Sequence, residues 1–247
     1  WSSVELKSIS KDYIKLLQEI RIYFKNSKNS IHKARNEIKI IDFKDKNLVV
    51  KAFKIPNLFN KIVYTFFRDT KAKKSYYNSL KISDFVPRAI GYIEFKKFGL
   101  LYDSYFVSEK FDYTFSIREV LLDEKFDNRE TIFAEFSKFT FALHKKGILH
   151  KDYSPGNILI KKEDNSYIFK IVDINRMVFK ELDMDERLKN FSQLWANDSD
   201  LKIIIDAYLE FMTEDREFCL QKAIHFSKKH KNIKNFKKRL KGRKVVD

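Results

Sequence analysis

Apolar residues recur at helical spacing over residues 4–24, at Leu6, Ile9, Tyr13, Leu16, Leu17 and Ile20, and predict an amphipathic helix at the start of the chain. Over 31–53 the pattern changes to short β-rich runs at 38–41 and 48–53, with Asp45-Lys46-Asn47 as the turn of a hairpin. Asp69 is placed to cap a helix reaching residue 80, and two more strands are predicted at 91–95 and 102–108. Beyond residue 111 the pattern is mainly helical. Asn128 is placed to cap a helix with Ile132, Phe136, Phe139 and Leu143 on one face, and Gly147 closes it. Strands return at 158–160 and 167–174, and helical spacing runs from 185 to 229. No internal repeat is visible. The expected organisation is an N-terminal helix (1–29), a β-rich lobe (30–108) and a mainly helical lobe (109–247), joined near Glu109 to Phe111.

Composition narrows the class. Of 247 residues, 44% are hydrophobic and 15% aromatic, enough for a sizeable core and too much for a disordered polar chain. Gly 5 and Pro 3 exclude collagen-like and low-complexity architecture. A single cysteine, Cys219, excludes a disulfide framework and a cysteine-built zinc site, and reads as a small core residue in a reducing compartment. Lys+Arg 50 against Asp+Glu 34 leaves +16, which calls for an anionic partner: phosphate, nucleic acid or an acidic membrane surface. Heavy use of Lys, Ile, Asn, Phe and Tyr is also what an AT-rich genome produces. No apolar run is long enough for a membrane span, and the opening residues lack the basic-then-apolar pattern of a signal peptide. A cytoplasmic protein is expected.

The informative segment is His150-Lys151-Asp152-Tyr153-Ser154-Pro155-Gly156-Asn157-Ile158-Leu159. In a chain so poor in turn residues, Pro155 and Gly156 mark a place where backbone geometry matters. Downstream, the apolar strand Phe169-Lys170-Ile171-Val172 ends in Asp173-Ile174-Asn175. Upstream, Lys51 lies within the apolar run Leu48 to Phe53, so its ammonium shares a buried strand.

This set resembles the protein-kinase-like superfamily. His150, Asp152 and Asn157 match its His-x-Asp-x-x-x-x-Asn catalytic loop, Asp173 its metal-binding Asp at a strand end, and Lys51 its nucleotide lysine. A bare match to that loop arises in about one chain in a hundred of this length, so the weight falls on the flanking helix, strands and lysine. The resemblance implies an α+β, bilobal protein-kinase-like fold with a β-rich N-lobe, a mainly helical C-lobe, and ATP and Mg²⁺ held between them. Phosphoryl transfer needs positioning and charge neutralisation more than covalent help. Asp152 then accepts or orients the acceptor hydroxyl, Asn157 and Asp173 offer oxygen ligands to Mg²⁺, and Lys51 pairs with the α/β-phosphates. The backbone near Glu109 and Phe111 contacts adenine, and His150 braces the loop.

Ser154 stands where protein kinases commonly carry Lys, and no proline follows Pro155, so the Ala-Pro-Glu motif is absent. The closer resemblance rests on Ala34-Arg35-Asn36-Glu37-Ile38-Lys39, Val49 to Pro56, the loop itself, and Val172 to Arg176. Together these are similar to the bacterial lipopolysaccharide core kinases, the Kdo/heptose kinase family. That resemblance implies ATP-dependent phosphorylation of a sugar hydroxyl on a lipid A–core acceptor at the inner face of the cytoplasmic membrane.

Two departures stand out. No Glu lies between Lys51 and Glu94, so the usual helix partner of the strand lysine is missing, with Ser75, Tyr77 and Asn78 candidates for its place. No glycine lies between Ile31 and Ile41, leaving Lys33, Arg35 and Asn36 as alternative phosphate contacts or as part of a solvated hairpin. The alternatives are therefore an atypical protein or small-molecule kinase, and a weak pseudokinase scaffold. The tail from Lys228 to Lys244 is dense in Lys and Arg, with Ile233, Phe236 and Leu240 at helical spacing. It reads either as a basic amphipathic helix on anionic lipid or as a terminal helix whose stripe docks on the second lobe. Its last residues also resemble the basic tail of a small tRNA-modification kinase subunit, but no RNA-binding motif accompanies them, and nucleic acid is not an expected partner.

Overall fold

The computed structural model describes residues 2–3, 10–33, 36–53, 57–164 and 166–242, without side chains at 2, 3, 32 and 33. The predicted helix start at 4–9, Arg35, the Lys33 side chain and the tail beyond 242 lie outside these residues. The chain divides into two compact units, Trp1–Asp112 with Asp173–Asn175, and Tyr113–Val172 with Arg176–Asp247.

The first unit contains β1 (Ser2–Ser3), α1 (Lys11–Gln18), α2 (Ile20–Asn26), β2 (Ser30–Lys33), β3 (Glu37–Phe43), β4 (Lys46–Phe53), α3 (Leu58–Phe66), α4 (Lys71–Lys81), β5 (Ala89–Lys97) and β6 (Leu100–Glu109). Its antiparallel sheet has the order β1-β5-β6-β4-β3-β2. The predicted first helix is broken at Glu19, whose φ/ψ of −94/7 ends α1 and starts α2. The apolar stripe survives the break: Leu16, Leu17, Ile20 and Phe24 pack with Ile41, Leu48, Val50, Ile93 and Val107. Alternation along β4 sends Leu48 and Val50 to that core, while Lys51 and Phe53 face the other way. There Phe53 packs with Ala72 and Tyr76 of α4 and Tyr92 of β5.

Further differences from the sequence reading concern a turn, a cap and a helix. The β3–β4 turn is at residues 44–45 rather than 45–47, because Phe43 pairs with Lys46 and Asp42 with Asn47, and Lys44 takes φ 53°. Thr70, not Asp69, caps α4: its hydroxyl accepts from the Lys73 N–H at 3.1 Å, while Asp69 forms an ion pair with the Lys73 ammonium at 3.0 Å. Helix α3 has no counterpart in the sequence reading, and none of its residues is buried.

The second unit contains β7 (Phe115–Ser116), α5 (Ile117–Leu122), α6 (Arg129–Lys145), β8 (Ile148–His150), β9 (Ile158–Glu163), β10 (Ser166–Ile171), β11 (Met177–Phe179), α7 (Met184–Phe191), α8 (Asp198–Leu209) and α9 (Arg216–Arg239). It has two small sheets, β10-β9-β7 and β11-β8. Ser116 and Glu119 form a capping box at α5. Gly147 follows α6 at φ 68°, as its C-cap role requires. Phe136 of α6 meets Tyr153, Phe169 and Phe191, and Phe139 stacks on Phe169. Cys219 is buried in α9, the core role expected of it, and burial raises its thiol pKa. The apolar stripe of the basic tail does not dock on the unit: Ile233, Phe236 and Leu240 are exposed.

A buried polar chain crosses this unit. The Tyr208 hydroxyl and His144 Nδ1 are 2.9 Å apart, and His144 Nε2 and Asn190 Oδ1 are 3.1 Å apart. The Asn190 amide in turn donates to the His150 carbonyl at 3.0 Å. With Asn190 Oδ1 as acceptor, His144 is neutral, protonated on Nε2 and accepting from Tyr208. Burial lowers its pKa from 6.5 to about 4, with the charge of Arg187 acting in the same direction. The unfolded chain therefore binds more protons between those two values, so stability is full above pH 6.5 and is lost as pH falls towards 4. His230, also lowered by desolvation, adds a slope of the same sign. The urea midpoint is expected to fall across this window, and His144→Gln to give a visibly shallower fall, the difference reaching on the order of 3 kcal/mol. Equal slopes for the two proteins would remove His144 as the cause.

Candidate active site

The loop after β8 is held by its own residues. The Asp152 N–H donates to His150 Nδ1 at 3.0 Å, and His150 Nε2–H donates to the Val172 carbonyl at 3.0 Å. Because a carbonyl only accepts and a backbone N–H only donates, this fixes the neutral imidazole with its proton on Nε2. The Val172 N–H returns to the Asn157 carbonyl at 2.9 Å. The Asn157 side-chain amide donates to the Asp152 carbonyl at 2.9 Å, which directs its Oδ1 away from that bond. Between them, fully buried Tyr153 anchors the loop through a 2.8 Å hydroxyl contact with Thr140, and its N–H donates to Gln193 Oε1. Asp152 and Asn157 are thus brought together, and His150 acts as the brace the sequence suggested.

The first unit gathers the other two residues. Lys51 Nζ lies 2.6 Å from Asp173 Oδ1, joining groups 122 residues apart. The Lys51 side chain is buried beside Phe53, with the ammonium 5.4 Å from the ring centroid. Asp173 takes φ 58°, a left-handed conformation that Asp tolerates better than bulky residues, and the turn ends β10 three residues earlier than predicted. The Asn175 amide also donates to Asp173 Oδ1. The missing helix glutamate is resolved here. Of its candidate substitutes, Asn78 of α4 donates to the Ile174 carbonyl at 2.7 Å, and the lysine takes Asp173 as its acid.

Glu109 and Phe111 lie at the end of β6 and just past it. The Glu109 carboxylate is bound by Lys46 at 2.5 Å and Arg88 at 3.5 Å, and its N–H donates to the Arg88 carbonyl. The next amide, Lys110 N–H, donates to the Asn47 carbonyl, whereas the Phe111 N–H has no backbone acceptor among the described residues.

Two arginines were given no role by the sequence reading. Arg176 Nη2 binds Asp152 Oδ2, and its carbonyl accepts from the Lys151 N–H at 2.9 Å. Its position directly after Asp-Ile-Asn was the only signal available. Arg118 of α5 lays its guanidinium against Gly156, where a methyl group would collide with it. No sequence spacing links those two residues.

Residues 63–214, more than half the chain, match the sequence model of the lipopolysaccharide kinase (Kdo/WaaP) family. The chain belongs to that family. Among solved structures, WaaP in complex with acyl carrier protein superposes with a TM-score of 0.59 at 10% identity, covering 91% of this chain and 97% of that one. At that identity the likeness is one of fold, and the fold of this lipopolysaccharide kinase is protein-kinase-like, as expected. A more distant match is a MAP kinase, LmaMPK10, from Leishmania major, with a TM-score of 0.46, 14% identity and coverage of 85% and 65%. No curated protein sequence matches.

His150→Phe keeps a planar aromatic ring but removes both ring nitrogens that pair with the Asp152 N–H and the Val172 carbonyl. Unfolding stability is expected to drop by about 2–4 kcal/mol. Amide exchange should accelerate through residues 150–157, read by urea titration and hydrogen–deuterium exchange. Unchanged exchange in that loop would show that the imidazole does not hold it.

Proposed function

We propose that this lipopolysaccharide kinase transfers the γ-phosphate of ATP to a sugar hydroxyl, on Kdo or heptose, of the lipopolysaccharide inner core. The observation that carries the reading is the Lys51–Asp173 pair, which joins a buried strand ammonium to the acid expected to hold metal. It also supports an active kinase over the scaffold alternative, since the lysine has an acidic partner despite the missing helix glutamate. Lys51 takes the α/β-phosphates, and the backbone near Glu109 and Phe111 takes the adenine. Asn157 Oδ1 and the Asp173 carboxylate are hard oxygen donors of the kind Mg²⁺ prefers. Among the described residues no three His, Cys, Asp or Glu side chains gather to hold a metal, which suits an ion ligated largely by substrate phosphates and water. When bound, Mg²⁺ supplies charge neutralisation on those phosphates.

With Oδ2 of Asp152 bound by Arg176, Oδ1 is the oxygen positioned to receive or orient the acceptor's hydroxyl proton. The acceptor is a lipid A–core glycolipid, and such an acceptor is met from the cytoplasm at the inner face of the membrane. The exposed Ile233, Phe236 and Leu240 of the basic α9 region support peripheral contact with anionic lipid. No helix among the described residues is long and apolar enough to cross a membrane. WaaP was solved with an acyl carrier protein, and we carry such a carrier over as a proposed protein partner.

The test is purified protein with Mg-ATP and dephosphorylated lipid A–core of defined Kdo and heptose content, read by intact mass. One added phosphate group is expected. Asp152→Asn should lower the rate about 100- to 10,000-fold while keeping the nucleotide-dependent thermal shift. Lys51→Met should lose that shift. Phosphate on peptide or antibiotic acceptors, with none on core sugar, would overturn the reading.

A further inference from the structure

Helix α3 buries none of its residues, although it is rich in apolar ones. Leu58, Phe59, Ile62 and Phe66 fall within about 100° of arc, so they form one face. Leu58, Phe59, Phe66 and the next residue, Phe67, are between 67% and 79% exposed. The helix is seated on β6 by its adjoining side, where the Leu101 N–H donates to Thr65 Oγ1 at 2.9 Å and Lys61 Nζ lies 5.3 Å from the Tyr102 ring. This brings it beside the β5–β6 turn, a two-residue loop of Phe98 and Gly99 closed by the Lys97–Leu100 pair.

The turn gives an independent sign. Both central residues have positive φ, 51° at Phe98 and 76° at Gly99. Such a turn favours Asn or Gly at the first position, and a bulky residue there is strained. Phe98 is 93% exposed, so the strain is not offset by burial within this chain. The residues in and next to α3 and the turn are mainly basic: Lys61, Arg68, Lys71, Lys96 and Lys97, against Asp69. The neighbouring carboxylates have partners, Asp69 with Lys73, Glu94 with the Thr70 hydroxyl and Asp103 with Arg21. Lys61 and Lys97 both flank the Tyr102 ring.

We infer that α3 and the β5–β6 turn form a second lipid-docking surface, in which Phe59, Phe66, Phe67 and Phe98 enter an anionic bilayer while the surrounding lysines meet its headgroups. The apolar groups protrude from a helix face and a turn tip, and a bilayer takes such a wedge without needing a matching surface. Leu58 and Ile62 cannot stack on bases, which disfavours nucleic acid. The inference stands apart from the phosphotransfer reading, because binding is measured with neither nucleotide nor acceptor present.

The test is co-sedimentation with phosphatidylcholine vesicles with and without phosphatidylglycerol, at low salt and at about 1 M salt, where charges are screened beyond about 3 Å. Low-salt binding includes every basic surface of a +16 chain; the salt-resistant part reports apolar insertion. Replacing Phe59, Phe67 and Phe98 by Ser keeps every charge and should weaken salt-resistant partitioning at least about tenfold. Phe98→Trp gives a second reading: the emission added by the new indole should shift to the blue on anionic vesicles and be quenched by brominated acyl chains. Equal salt-resistant binding by wild type and the triple variant would overturn the proposal. So would an added emission in the Phe98→Trp variant that moves only with an acidic protein, which would make the surface a protein-docking one.

Discussion

A single neutral imidazole sets the geometry from which the candidate active site is built. His150 accepts from the Asp152 amide on one nitrogen and donates to the Val172 carbonyl on the other, so it cannot keep both bonds if it tilts or gains a proton. The loop bearing Asp152 and Asn157 is thereby fixed to the residue that precedes Asp173. Its other supports are buried. Tyr153, fully buried against Phe136, locates the backbone from below, and the His144–Asn190 chain ends on the His150 carbonyl. Polar residues that must face solvent and substrate are thus held by neighbours that do not.

The loop was legible in the sequence because its requirements are local. Asp152, Asn157, Pro155 and Gly156 lie within six positions, and the bond between Asn157 and Asp152 is one that spacing can suggest. The alternation that put Lys51 on a buried strand was equally plain, and so was the end of α6 at Gly147. The partner of Lys51 was not legible. Spacing pointed to α4, where an acid is absent, while the actual acid comes from 122 residues downstream. Asp69 and Thr70 illustrate a finer limit: both are good caps, and only the position of the Lys73 ammonium decides which one is diverted. Helix α3 is hidden for the opposite reason, since its apolar face meets no core and leaves no second run of buried residues to confirm it.

Membership of the lipopolysaccharide kinase family accompanies a fold shared with WaaP at only 10% identity. So little shared sequence is compatible with one fold when volume and pattern are kept and individual side chains change. This chain fills its second core with phenylalanine and tyrosine, through Phe133, Phe136, Tyr153, Phe191 and Tyr208. A deeply placed ion pair there, Arg129 with Asp200 at 2.5 Å, is supported by a bond from Arg129 to the Val120 carbonyl. Aromatic packing tolerates exchange among large side chains better than a paired charge tolerates loss of its mate.

Gly147 shows where such tolerance stops. It combines a left-handed backbone with a neighbour that cannot yield, because a Cβ there would sit 2.5 Å from the Lys180 main-chain oxygen. Its own carbonyl is meanwhile tied to the Lys180 N–H at 2.9 Å. A clash with a side-chain tip, such as Arg118 beside Gly156, can be relieved by rotation; a clash with main chain requires two segments to part. Any side chain at residue 147 therefore forces the α6–β8 connection away from the segment that follows β11, whichever residue is introduced.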